Sequence, residues 1–253
     1  MNTPSLKKCA SHTDNLVLVN GANPFCEDIT PDRLAPVGPE TDGVLMERHA
    51  AALLNKLMDD IHGWGQIAAV SGWRSGKEQQ TIWEDSLHAN GEAFTTQFVA
   101  SPGCSEHQTG LAIDLGLRQE TMDFICPDFP YTGICQTFRK HAARYGFIQR
   151  YPSGKEHITG IAHEPWHFRY VGIPHAEIMT RRGITLEEYL ELLRQYPAGQ
   201  KAFFFRTDMY AFSVSYLPAQ CQYVHLPEAE ASCLVSRDNC GGLIMTTWKN
   251  REY

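Results

Sequence analysis

Apolar positions along the chain follow two periods, and each change of period marks an element. Over residues 43–62 the positions Leu45, His49, Leu53, Leu57 and Ile61 recur at spacing four. That predicts a helix capped by Thr41 or Asp42 and ended by Gly63 and Gly65. Residues 66–71 predict a short strand. The turn Gly72-Trp73-Arg74-Ser75 then leads into a second helix over 77–88. Residues 111–115 predict a buried strand, 135–145 a helix stopped by Gly146, and 147–150 and 166–171 two more strands. Thr185 is placed to cap a helix to about Gln195, with Glu187 and Glu188 in its first turn.

The pattern changes at Pro197-Ala198-Gly199. Beyond it, 202–205, 210–216, 222–226, 233–236 and 243–248 are β-rich and separated by turn residues, with a hairpin turn over 237–242. Residues 1–40 carry Pro24, Pro31, Pro36 and Pro39 and predict an irregular leading arm. The expected division is therefore a main domain over 1–196 that includes this arm, and a β-rich extension over 197–253. The run Phe203-Phe204-Phe205 is expected in the core of that extension.

Composition narrows the functional classes. With 253 residues, 43% hydrophobic and 20% charged, the chain can bury a core, which excludes global disorder. A net charge of −7 counts against nucleic acid as a partner. No stretch approaches the length of a membrane span. The first residues lack the apolar segment of an export signal, so the expected location is cytoplasmic with no membrane anchor. The eight cysteines form no CxxC pair. In such a compartment they are expected to be reduced thiols. A homodimer is left open.

His163-Glu164-Pro165-Trp166-His167 satisfies the pattern H-E-x-x-H. On a helix that pattern would put both histidines on one Zn²⁺. Pro165 opposes the helix because it removes a donor and pushes Glu164 out of the α region. The following Phe168-Arg169-Tyr170-Val171 favours a strand. In extended chain with a bend at Pro165, Glu164 and His167 can share a cleft with Trp166 between them. His163 is then left as a surface or hydrogen-bonded residue.

A catalytic zinc needs two ligands besides His167. Ser105-Glu106-His107-Gln108-Thr109-Gly110-Leu111-Ala112-Ile113-Asp114 offers them, with Gly110 allowing a tight turn. Asp114 is the one charge in an apolar strand, so it needs either a metal or an arginine as partner. Spacing alone does not choose between them.

Ser105-x-His107-x-x-Gly110-x-Ala112-x-Asp114 followed by Glu164-x-Trp166-His167 resembles the signature of the VanY/VanX-type zinc D-Ala-D-Ala peptidases. Ser71-Gly72-Trp73-Arg74-Ser75 with Gln79, Pro102-Gly103, and His167-Phe168-Arg169-Tyr170-Val171-Gly172 match as well, so the likeness covers about residues 66–172. Length and the lack of an anchor are similar to the bifunctional VanXY members, the G type among them. The resemblance implies one Zn²⁺ on His107, Asp114 and His167, Glu164 as general base and acid, and Arg74 at the oxyanion. It further implies Ser105 and Gln79 as substrate contacts. Two neutral histidines and one aspartate would leave the loaded site at +1, which acidifies water toward a pKa of about 7. Trp73 and Trp166 read as packing walls, with Trp166 and Ser71 also expected at the substrate.

With the element order, the resemblance predicts an α+β fold. An antiparallel sheet carries the zinc cleft, helices pack outside it, and a small C-terminal β-rich appendage follows. The implied activity is removal of terminal D-Ala from muramyl-pentapeptide precursors together with hydrolysis of the D-Ala-D-Ala dipeptide, supporting glycopeptide (vancomycin) resistance. Ser71 stands where VanX-like dipeptidases carry an Asp, which biases the expectation toward carboxypeptidase unless another acid such as Glu106 substitutes. Two other readings stay open: an L,D-carboxypeptidase of peptidoglycan tetrapeptides, and a non-catalytic zinc-binding module.

Overall fold

The computed structural model describes residues 11–27, 29–39, 43–218 and 232–250. The chain falls into two compact units. One is Val19–Thr185; the other gathers the described residues of Met1–Leu18 and Leu186–Tyr253.

The first unit is built on a four-stranded antiparallel sheet. Its strands are β4 (Ile67–Ser71), β5 (Ala112–Leu117), β6 (Phe147–Tyr151) and β7 (Glu164–Tyr170), in the order β4-β5-β7-β6. One face packs on α1 (Arg48–Asp60) and α4 (Gly133–Ala142), where Leu54, Leu57, Ile113, Leu115, Phe138 and Phe168 share a core. Edge-to-face rings of Phe129 and Phe138 on Phe168 fill its centre. The other face of β5 and β7 presents Asp114 and His167, because successive side chains of a strand point to opposite sides.

The α1 helix begins later than its pattern predicts. Leu45–Glu47 is instead a strand, β3, paired antiparallel with β2 (Leu34–Pro36), so part of the supposed arm is structured. The Glu47 side chain caps α1 by accepting from the His49 and Ala50 N–H groups; Thr41 and Asp42 lie outside the described residues. The buried stripe is Ala50, Ala51, Leu54, Leu57 and Met58, with His49 exposed. Small residues on the inner face displaced it from the predicted one. The α2 helix (Gly76–Asn90) has the capping box Ser75–Glu78 at its start, and α3 (Glu92–Phe98) follows at once. Short helices α5 (Glu156–Thr159) and α6 (His175–Arg182) complete this unit.

The second unit contains α7 (Leu186–Arg194) and a five-stranded sheet. The sheet comprises β1 (Ser11–Thr13), β8 (Phe203–Arg206), β9 (Tyr210–Pro218), β10 (Ser232–Arg237) and β11 (Gly242–Asn250), in the order β1-β10-β11-β9-β8. The β1 strand runs parallel to β10, so residues of the expected arm complete the C-terminal sheet. In the β10–β11 hairpin, Asp238 Oδ1 accepts from the Cys240 and Gly242 N–H groups and Asn239 takes a positive φ. The aromatic run divides by strand alternation: Phe203 is buried, whereas Phe204 is 77% exposed, contrary to the expectation of a wholly buried run. The strand expected over 222–226 lies outside the described residues. The six described cysteines are free thiols. Among the described residues no helix is long and apolar enough to cross a membrane.

Candidate active site

The site grows out of three neighbouring strands. Asp114 on β5 stands directly opposite Ser71 on β4 and His167 on β7, so the three lie in one row across the sheet. Strict alternation would send Glu164 to the core side with Phe168. Five residues of β7, Glu164 to Phe168, span the stretch that three residues, Gln149 to Tyr151, span on β6. This irregularity at Pro165 turns Glu164 to the same cavity as His167. That is the change of phase the extended reading of the motif requires.

His107 arrives from a 3-10 turn, Glu106–Thr109, closed by Gly110 in the left-handed conformation. Its Nδ1–H donates to the Gly72 carbonyl at 2.6 Å, which leaves the Nε2 lone pair facing Asp114 Oδ2 at 3.1 Å. Gly72 is irreplaceable there, since a Cβ would lie 2.2 Å from the Leu45 carbonyl oxygen. His167 Nδ1 lies 2.8 Å from Asp114 Oδ1 and 3.7 Å from Glu164 Oε2. His107, Asp114 and His167 are all buried, and one donor atom from each lies within 4.8 Å of the others.

This donor set fits Zn²⁺. Two imidazole nitrogens and one carboxylate are ligands zinc accepts, and at bonds of about 2.0–2.2 Å tetrahedral donors stand roughly 3.3–3.5 Å apart. The separations of 2.8 and 3.1 Å are a little tighter than that. The buried groups here ionise far from their ordinary values. Burial works against ionisation of His167, yet Asp114 beside it raises the imidazole to about 9. Burial pushes the Glu164 carboxyl up to about 8, although His167 opposes the shift. Burial, aided by the Arg74 guanidinium, lowers His107 to about 4.

A cavity of about 410 Å³ opens over this cluster. Its walls include all nine residues singled out by sequence: Ser71, Arg74, Gln79, Ser105, His107, Asp114, Glu164, Trp166 and His167. Arg74 stands close enough to Asp114 and Glu164 to feel both charges, and its Nε has no hydrogen-bond partner among the described residues. Gln79 is buried; its Nε2 donates to the Ala100 carbonyl at 2.7 Å, and its Oε1 has no hydrogen-bond partner among the described residues. Ser105 is buried and Ser71 half-buried. His163 stays outside the donor set and hydrogen-bonds the Tyr131 hydroxyl at 2.8 Å.

The sequence pattern did not reveal the apolar wall of Ile82, Phe98, Ile125 and Ile161, nor Asp85 on α2. These residues sit on helices and loops whose inward faces only the tertiary fold defines. Glu106 corrects an expectation. It is fully buried and paired at 2.8 Å with both Arg150 and Arg169, so it is not a spare acid for a substrate ammonium.

A family model described as VanY, D-alanyl-D-alanine carboxypeptidase, matches residues 43–173. The chain belongs to the VanY family. It is 44% identical over 183 residues to the bifunctional D-Ala-D-Ala dipeptidase and carboxypeptidase VanXYC of Enterococcus gallinarum, covering 72% of this chain and 96% of that one. The solved vancomycin-resistance D,D-dipeptidase VanXYg, bound to a D-Ala-D-Ala phosphinate analogue, superposes with TM-score 0.89 at 43% identity over 93% of this chain and 94% of that one. A VanY D,D-pentapeptidase variant in complex with Zn(II) gives TM-score 0.54 at 30% identity, over 70% and 98%. The L,D-carboxypeptidase LdcB gives 0.59 at 32%, over 75% and 93%. The chain is thus an enzyme of a metallopeptidase family, and its fold is the mixed helix and antiparallel-sheet fold of these structures.

Proposed function

We propose that this protein is a zinc-dependent D,D-peptidase. It removes the C-terminal D-Ala from peptidoglycan precursors ending in D-Ala-D-Ala and also hydrolyses the free dipeptide. The observation that carries this reading is the buried His107–Asp114–His167 cluster with Glu164 and Arg74 on the same cavity wall, in a chain 44% identical to a bifunctional enzyme of that kind. His107, Asp114 and His167 would hold one Zn²⁺ per chain. Zinc held there supplies Lewis acidity, which lowers the pKa of the attacking water and draws charge onto the scissile carbonyl oxygen. Glu164 takes the proton of the attacking water and passes it to the leaving amine. The Arg74 guanidinium faces the charge that develops on the carbonyl oxygen. Gln79 Oε1, which has no hydrogen-bond partner among the described residues, accepts from a substrate N–H, and Ser105, Ser71 and Trp166 shape the walls.

Four acids line the cavity: Asp85, Glu106, Asp114 and Glu164. Glu106 is ion-paired, Asp114 belongs to the donor set and Glu164 serves as base. Asp85 is exposed, and we place the ammonium of a free dipeptide there. Destroying precursors that end in D-Ala-D-Ala in the cytoplasm would support vancomycin resistance, which is named for the solved VanXYg and VanY structures.

A substrate panel tests this reading. Zinc-loaded protein is expected to release D-Ala from the dipeptide and from UDP-MurNAc-pentapeptide, and to leave the tetrapeptide ending in a single D-Ala intact. Asp85→Asn should raise KM for the dipeptide about tenfold and leave the pentapeptide KM unchanged. Preferential cleavage of the tetrapeptide would make the protein an L,D-carboxypeptidase. Zinc binding without any hydrolysis would make it a binding module.

A further inference from the structure

One wall of the cavity is made by α2 and α3, and these two helices are tied to each other. At their base Gln79 Nε2 donates to the Ala100 carbonyl at 2.7 Å. Midway, the Ser86 and Thr95 hydroxyls share a hydrogen bond of 2.8 Å, and Asn90 Nδ2 donates to Ser86 Oγ at 3.4 Å. Ser75 and Glu78 cap α2 by bonding one another. Among the described residues, no hydrogen bond or ion pair joins 75–100 to the rest of the chain. The flanks, in contrast, are pinned. Trp73 N–H donates to the Leu45 carbonyl at 2.6 Å and Arg74 N–H to the His107 carbonyl at 3.3 Å. Gly103 N–H donates to Gln108 Oε1 at 3.0 Å, and the Gly103 carbonyl accepts from Phe25 N–H at 2.7 Å.

Packing follows the same division. In α2 and α3 the buried side chains are Gln79, Ser86 and Thr95, all polar. The apolar residues that face inward, Ile82 and Phe98, line the cavity and are half-buried. A helix is stabilised in a protein mainly by the packing of its apolar face. Here that face is turned to the cavity, so a peptide in the cavity completes its burial. Gln79 Oε1, buried and without a hydrogen-bond partner among the described residues, is carried on the same helix. Resting on the substrate site proposed above, we infer that α2 and α3 form a flap that closes as one body on the bound peptide. It turns at Ser75 and at residues 101–102, between the pinned flanks. Substrate drives the closure because Ile82, Phe98 and Gln79 touch it in the closed position and not in an open one. His107, Asp114, Glu164 and His167 lie outside the flap, so closure changes how the peptide is held and leaves the metal site in place.

Hydrogen exchange of the zinc-loaded wild-type protein, with and without a phosphinate analogue of D-Ala-D-Ala, tests this. In the free protein the amides of α2 and α3 are expected to exchange together, about 100-fold faster than those of β5 and β7. The analogue is expected to slow both helices about tenfold, although Phe98 alone of α3 lines the cavity. Exchange in the free protein as slow as in β5 and β7, or slowing confined to α2 near Gln79, would overturn the inference. As a second measurement, Phe98→Ala should weaken the analogue about tenfold and leave zinc affinity unchanged. A folded Phe98→Ala protein that binds the analogue as the wild type does would also overturn it. Wild-type protein that does not bind the analogue in a titration would overturn the flap and the reading of the cavity together. Binding without slowed exchange in α3 would overturn the flap alone.

Discussion

At the scale of single residues, the site holds its acid–base group in an uncomfortable place. Glu164 is buried and its carboxyl is pushed up to about 8. In the unfolded chain an ordinary glutamate ionises near 4.3. Between those values the folded metal-free protein binds more protons than the unfolded chain, so its stability falls as pH rises through this window. Glu164→Gln removes that penalty. The metal-free variant is expected to be more stable than wild type at pH 8, by on the order of 1–3 kcal/mol. The difference should vanish below about pH 4.5; chemical denaturation at both pH values checks it, and a variant less stable at pH 8 would contradict it. The residue types at the site were legible in the sequence because zinc and proton-transfer chemistry admit few side chains. The role of Glu106 was not, since its two arginines are 44 and 63 residues away along the chain and only the fold brings them to it.

At the scale of elements, the cluster depends on two departures from regularity. One is the bulged register at Pro165; the other is the tight passage at Gly72. Gly72→Ala would drive a Cβ into the Leu45 carbonyl and displace the acceptor of His107 Nδ1–H. It is expected to cost about 2 kcal/mol or more in thermal or chemical unfolding. Zinc affinity should fall with it, and a variant with both unchanged would refute the account of this turn. The sheet strands were legible from short apolar runs, and α2 from the turn Gly72–Ser75 that leads into it. By contrast, α3 and α6 were missed because 7 and 8 residues give a helical period little room to repeat. The start of α1 was misplaced because Leu45, in the strand before it, falls in step with Leu53, Leu57 and Ile61, and Glu47, which caps the helix, is not among the usual capping residues.

For the molecule as a whole, the long-range partners are what local pattern could not supply. The β1 strand joins a sheet whose paired residues lie more than 220 positions away, and nothing in Ser11–Thr13 specifies that. Metal binding, in contrast, is a whole-molecule property that the site predicts directly. Any ligand of the folded state alone stabilises it, by about 2.7 kcal/mol when free zinc is 100 times Kd. Zinc is therefore expected to raise the Tm of the metal-free protein and EDTA to reverse the rise. His107→Ala should abolish the response and His163→Ala retain it. Loss of the response in His163→Ala would revive the helical reading of the H-E-x-x-H pattern.

The most direct measurement is D-Ala release by the zinc-loaded protein from UDP-MurNAc-pentapeptide, with Glu164→Ala protein carrying the same amount of zinc beside it. Release by the wild type and loss of at least 10³-fold in the variant is the predicted result, a typical magnitude for a proton-transfer residue. No release by the wild type, or equal release by both proteins, would contradict the assignment of this cavity as a D,D-peptidase centre run by Glu164.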